Sequence, residues 1–419
     1  MRKHLFFHMS YRYCYKFLED HLSYRIEDKK KKKRCYMRRQ FSYLLQSHLL
    51  SAAEVVNWNR RILGLLGIWP EDPKNLRFSL ILGYLMIHVT LECAYLCQNI
   101  QQLEHVVASM TENIPFTVIL LKAVLFRKNK DLLCKIIRKA TKNFEVGDYR
   151  SEKELEIFLR YNTIAKNFVR VVVPLIFTSS IVYFAKPLFT KFLTRNYTLI
   201  YDLPYRVHLF YDSTDVRVYV MTYALQAPLV LIATFGYTGT DCLLVTLTLH
   251  VCGELSILAN RIKNVKSNTL GTHEAIQIII NRHVQLIRMA RIIEDVFNVL
   301  LLGQLFGGTF LICFLGYNNT NGGQETDLLN FLLYGFSVVV LLYVYCYVGE
   351  CLTNESVKLR DAFFYCPWYE LPVKNSKSFV TCIIQSQRPL HLTAGKFYVF
   401  SLPRFADVSS NSFNLFYMI

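Results

Sequence analysis

Charge is scarce in this chain of 419 residues: Asp, Glu, Lys and Arg together make up 19% of it, where a typical soluble domain carries roughly 25%. The usual signatures of catalysis and metal binding are missing as well. There is no CxxC pair and no HExxH, and the eleven histidines are dispersed without metal-ligand spacing. No GxSxG elbow or Walker sequence occurs, and Gly322-Gly323 flanks no strand that could form a phosphate cradle. Twelve scattered cysteines in so long a chain argue against a secreted disulfide scaffold. The closest pair, Cys93 and Cys97, is expected to pack as small hydrophobes one helical turn apart. The chain therefore reads as a non-enzyme that needs no cofactor and no metal.

What the sequence has in excess is apolar surface: 53% apolar residues and 14% aromatics, with a mean hydropathy of +0.23. A membrane helix needs about 20 mostly apolar residues. Phe78–Cys97, Val106–Phe126, Phe168–Phe189, Val216–Leu249, Val296–Tyr317 and Leu328–Gly349 all supply such a run, and a seventh starts near Thr393. Soluble proteins seldom carry 20 apolar residues seven times over. The pattern predicts an all-α membrane protein with seven transmembrane helices.

Basic residues are retained on the cytoplasmic side. Lys and Arg number 16 in residues 1–76, 10 in 127–162, 6 in 252–291 and 5 in 351–392, all on one side of a seven-span arrangement. The opposite loops hold four, namely Lys186, Lys191, Arg195 and Arg206. This places the N-terminus in the cytoplasm and the C-terminus outside, in a multi-pass plasma-membrane protein. Asn196-Tyr-Thr and Asn318-Asn-Thr, both glycosylation acceptor patterns, fall in outer loops of that arrangement. The apolar core Leu5–Phe7 is too short for a secretory signal. The excess positive charge then faces anionic lipid rather than nucleic acid. Charges inside the spans are functional candidates by default. Glu92, Glu112, Lys122 and Asp241 qualify, with Lys122 able to snorkel and Asp241 expected in the protruding inner part of the fourth helix.

Two stretches carry a family resemblance: His250–Leu305, with HVCGELSILANRI and IIEDVFNVLLLGQL, and Tyr347–Phe397, with YVGECLTNESVKLRDAFFYCPWYEL and IIQSQRPLHLTAGKF. Together with LGIWP ending at Pro70 and LPYRVHLFYD at Leu203–Asp212, they resemble the insect odorant receptors over roughly residues 55–408. That resemblance implies an odour-tuned subunit which assembles with the shared co-receptor Orco into a heterotetrameric ligand-gated cation channel in the dendrites of olfactory neurons. It further implies a pocket for a volatile organic odorant between the outer halves of helices 2 to 6, subunit contacts at the cytoplasmic ends of helices 4 to 7, and a pore lined by helix 7.

A volatile ligand calls for an apolar, aromatic site. The outer aromatics Phe177, Tyr183, Phe184, Tyr223, Phe310, Phe314, Phe331 and Tyr334 are the pocket candidates; the alternative is that they pack helix against helix or lipid. Arg388-Pro389 should break the inner helix. Thr393, Phe397, Phe400 and Ser401 then begin the pore-lining segment that the resemblance implies. Trp368 and Tyr369 are candidates for the subunit interface, with packing inside the same chain as the alternative for Trp368.

The chain divides into a basic extension, 1–54, expected to be disordered around the charge run Lys29–Arg34, and a membrane domain, 55–419. From about residue 409 the ending SSNSFNLFYMI departs from the family pattern, so the family's gate residues have no counterpart there. A gustatory receptor of the same superfamily is the alternative reading. A G-protein-coupled receptor would have an outside N-terminus and the D/E-R-Y and N-P-x-x-Y signatures, which are absent. A transporter would show paired broken helices in inverted repeats, also absent.

Overall fold

The computed structural model describes residues 53–145, 149, 151–194, 203–211, 215–263, 273–320, 325–370 and 373–407. The basic extension and the divergent ending therefore lie outside the described residues, apart from residues 53 and 54. Helix α1 (53–65) is amphipathic: Val55, Ile62 and Leu63 are buried, while Arg60 and Arg61 face outward. It ends at Gly67, whose φ of +72° is the left-handed conformation that terminates helices cheaply only in glycine. Trp69, just beyond, plugs into the core at 2% exposure.

The long apolar runs form α2 (Asn75–Gln98), α3 (Leu103–Lys128), α5 (Glu152–Thr194), α6 (Val216–Gln226), α7 (Pro228–Lys263), α8 (His273–Thr320) and α9 (Glu325–Phe364). Six spans within them are long and apolar enough to cross a membrane. At 1.5 Å per residue, α5, α8 and α9 measure about 60–70 Å, twice the hydrocarbon thickness, so each projects well beyond it. The fourth expected span is divided: α6 stops at Gln226 and α7 restarts at Pro228, where proline is tolerated because a first-turn N–H has no helical partner.

At the projecting end, the amphipathic α4 (Lys130–Glu145) packs on α7 and α8, and α10 (Val373–Ser386) packs on α8 and α9. Interhelical bridges tie this end together. Arg261 grips Glu154 at 2.9 Å, Arg282 pairs with Glu254, and the Tyr161 hydroxyl donates to Glu355 at 2.9 Å. Helix α7 runs through the centre. Of its most apolar stretch 94% is buried, against 17% for α2, whose surface is left for lipid. Cys93 and Cys97 share that outward face, so they do not pack in the core as expected.

The chain differs most from expectation after Pro389. Residues 393–401 form no helix. Strands β1 (Thr393–Ala394) and β2 (Tyr398–Val399) make a small antiparallel hairpin, and only 402–407 returns to helix, as α11. The turn uses positive φ at both Gly395 (60°) and Lys396 (65°), the twist that two tightly paired strands require. The hairpin is fastened to α8: Thr393 donates to Glu294 at 2.8 Å, and the Gly395 N–H donates to the Asn298 carbonyl at 3.1 Å. On its other side, Gly349 of α9 sits against the Phe400 carbonyl, where any Cβ would collide.

Candidate functional site

The segment 203–211 follows α5 but does not stay at the surface. Tyr205, 4% exposed, enters the bundle and is clamped by Gln226, which accepts from the Tyr205 N–H at 3.2 Å and donates to its carbonyl at 3.0 Å. This side chain satisfies both backbone groups of a buried loop residue, which would otherwise be costly. Burial and the nearby Glu112 push the Tyr205 phenol well above its ordinary titration range. Tyr205 stacks on Tyr183 at 5.8 Å and meets Phe116 and His88 edge-on.

Beneath this aromatic plug lies a cavity of about 70 Å³ between α3, α5, α7, α8 and α9. That exceeds severalfold the roughly 10–15 Å³ one water requires. Its apolar lining comes from Pro115, Phe116, Ile119, Ile176, Ala233 and Leu311, and the polar lining from Thr111, Glu112, Ser179, Ser180, Tyr183, Tyr205, Tyr237 and Tyr334. Glu112, 6% exposed, accepts from the Tyr183 hydroxyl at 2.8 Å and from the Arg206 N–H at 2.6 Å. On α2, Glu92 approaches His88, one turn earlier, to 3.0 Å without hydrogen-bond alignment and accepts from Asn113 of α3 at 3.3 Å.

Deeper along α3, Lys122 is 1% exposed and does not snorkel. It donates to Asp241 at 2.7 Å and to the Tyr237 carbonyl at 2.8 Å, and lies 4.7 Å above the Tyr237 ring. Asp241 is thus a buried partner in the bundle rather than part of a protruding helix end. The Tyr237 hydroxyl in turn accepts from Gln304 of α8.

Of the pocket residues expected from sequence, Tyr183 and Tyr334 line the cavity. Phe184 supports it from behind, edge-on to Tyr223 at 4.8 Å, while the Tyr223 hydroxyl donates to the Phe184 carbonyl at 2.6 Å. Phe177 and Phe310 are turned to the exposed surface, 37% and 54% accessible. Phe314 and Phe331 fall on α8 and α9, but their side chains lie outside the described residues. Glu112 was visible as an intramembrane charge. Tyr205 and Tyr237 carried no local signal, since the first reaches the cavity through a loop and the second through a helix otherwise packed on every side.

Thr393 and Phe400 are buried in the hairpin, Ser401 is half-buried and Phe397 is exposed. Trp368 and Tyr369 form a short 3-10 turn (Trp368–Glu370) after α9. Trp368 leans on the core and Tyr369 is 71% exposed, in one surface with Phe364, Tyr365 and Val373. Among the described residues, no group of three or more His, Cys, Asp or Glu side chains converges as metal ligands would.

The fold is similar to that of the olfactory receptor OR5 of Machilis hrabei, with a TM-score of 0.75 at 17% identity over 88% of this chain and 98% of that one. The complex of that receptor with eugenol gives a TM-score of 0.74. Odorant receptors 13a and 49a of Drosophila melanogaster are 27% and 25% identical over 236 and 222 residues, 52% of this chain in both cases. These alignments span about half the length of each curated relative, 56%. The family described as 7tm Odorant receptor matches residues 102–413, three-quarters of the sequence, so this multi-pass membrane chain belongs to the odorant receptor family.

Proposed function

We propose that the chain is an odour-tuned subunit which binds a small volatile in the cavity under Tyr205 and, together with the Orco co-receptor, gates a cation channel in the dendritic plasma membrane of an olfactory neuron. The observation that carries this reading is the cavity itself: a largely apolar chamber between five helices with convergent polar groups, the form small-molecule sites take. The complex of a structurally similar receptor with eugenol supports it by analogy of fold.

In this reading the basic side, with α4 and α10, faces the cytoplasm and carries the N-terminus. The exposed surface of Phe364, Tyr365, Tyr369 and Val373 meets neighbouring subunits, with Trp368 bracing it from within. The stretch from Phe397 and Ser401 into α11 and the ending leads a seventh span along the pore, with Thr393 and Phe400 as its anchor.

Whole-cell recording from cells expressing the chain with Orco, under mixed volatiles and with G-protein signalling blocked, tests the proposal. An odour-evoked cation current that Orco alone does not give is the expected result. A response abolished by the G-protein block would refute it.

A further inference from the structure

Ser179 stands out among the polar groups on the cavity wall. It is 4% exposed, and its Oγ has no hydrogen-bond partner, although Ser180 beside it donates to the Ile176 carbonyl at 2.8 Å. A buried hydroxyl left unpaired costs free energy, and such exceptions call for a reason. Four residues on, and so on the same face of α5, is Tyr183, whose hydroxyl touches Glu112. Glu112 already receives one donor on each oxygen, yet a carboxylate offers about four lone-pair sites. The wall therefore presents an unused O–H and, beyond one helical turn, acceptor oxygens with capacity to spare.

We infer that this cavity selects ligands bearing a hydroxyl group, an alcohol or a phenol, which donates to Glu112 and accepts from Ser179. The chemistry is complementary in a way that volatiles without a hydrogen-bond donor do not match. An ether, ester or ketone can accept from Ser179 but leaves Glu112 facing a lone pair. A hydrocarbon satisfies neither group. A hydroxyl gives one bond and takes one, while the apolar remainder of the molecule fits against Phe116, Ile119, Ile176 and Leu311. The inference rests on the cavity being the odorant site.

The test uses the full chain with Orco and a panel of paired volatiles, each alcohol or phenol set against its own methyl ether: 2-phenylethanol, 1-hexanol and 4-ethylphenol with their ethers. One hydrogen bond to the carboxyl group, made against one left unmade, predicts hydroxyl members more potent by on the order of 10-fold. Ser179→Ala, which removes the orphan hydroxyl from a helix without opening much space, should weaken alcohols and ethers alike by severalfold, because both accept from it, and leave their ratio unchanged. Glu112→Gln, which keeps the shape but weakens the acceptor, should shrink the alcohol-to-ether ratio severalfold. Ethers as potent as their alcohols in the wild type, a ratio unmoved by Glu112→Gln, or potencies unmoved by Ser179→Ala would overturn the inference. Ala233→Trp separates this from failure of the cavity reading. If it abolishes every response at normal surface expression while wild-type alcohols and ethers are equipotent, the cavity is the site and only the hydroxyl preference is wrong. If responses survive it, the ligand sits elsewhere and both fall.

Discussion

Helix α3 carries two buried ionisable sites ten residues apart, about 15 Å along its axis, and they are built on opposite plans. At Lys122 the circuit is closed: ammonium, Asp241 carboxylate, Tyr237 carbonyl and Tyr237 ring all face one another, and of these residues only Tyr237 borders the cavity. At Glu112 the carboxyl is held by Tyr183 and the Arg206 backbone, yet it borders open space together with an unpaired serine. A satisfied buried pair holds helices in register. A partly satisfied one beside a void keeps acceptor capacity facing open space. Being charged and intramembrane is common to both, so position alone does not separate a strut from a binding site; the inventory of unspent donors and acceptors does.

The sharpest way to break the comparison is to treat both sites alike. Lys122→Met strands the Asp241 carboxylate in the interior and should cost about 3–5 kcal/mol. It would be read as a large fall in Tm of the detergent-solubilised protein. Adding Asp241→Leu should recover most of the loss, because a buried ion pair is replaceable by apolar groups of similar volume. A double variant as unstable as the single one would mean that the pair does more than balance charge.

Tyr183→Phe removes one donor from Glu112 and one phenol from the cavity, for a loss of about 1.5–3 kcal/mol by the same measurement. Glu112→Gln should lower stability by only about 1 kcal/mol, since the amide oxygen still accepts from the Arg206 N–H and only the attraction to the nearby Arg206 charge is lost. Equal losses for Glu112→Gln and Lys122→Met would erase the distinction between the two sites. The smallest effect is expected at Lys396, whose 3.2 Å pair with Asp295 is 65% and 57% exposed. Lys396→Ala should shift Tm by no more than the roughly 0–1 kcal/mol typical of surface pairs.

Local chemistry made the helices legible from sequence. Their apolar runs are short-range signals. Intramembrane scarcity of charge also picked out Glu112, Lys122 and Asp241. What local pattern could not supply was partnership. Lys122 and Asp241 are 119 residues apart in sequence, and nothing in either neighbourhood names the other. Tyr205 belongs to a polar-looking loop whose entry into the bundle depends on Gln226 in the next helix. The hairpin did leave a trace, Gly395-Lys396 between Thr-Ala and Tyr-Val. The apolar run from Phe397 to Leu402, however, reads as well for a helix start as for a buried strand, an ambiguity periodicity does not resolve for short runs.

The hairpin's attachment gives α8 a mechanical property. Leu311 of this helix touches the cavity, and Asn298 of the same helix, about 20 Å away by helical rise, holds the hairpin by its carbonyl. The stretch between them is unbroken helix. It therefore acts as a stiff lever with a load pinned to one arm. Under the proposed function, a small rotation imposed by a ligand at Leu311 would swing the pinned end and drag the hairpin along with it.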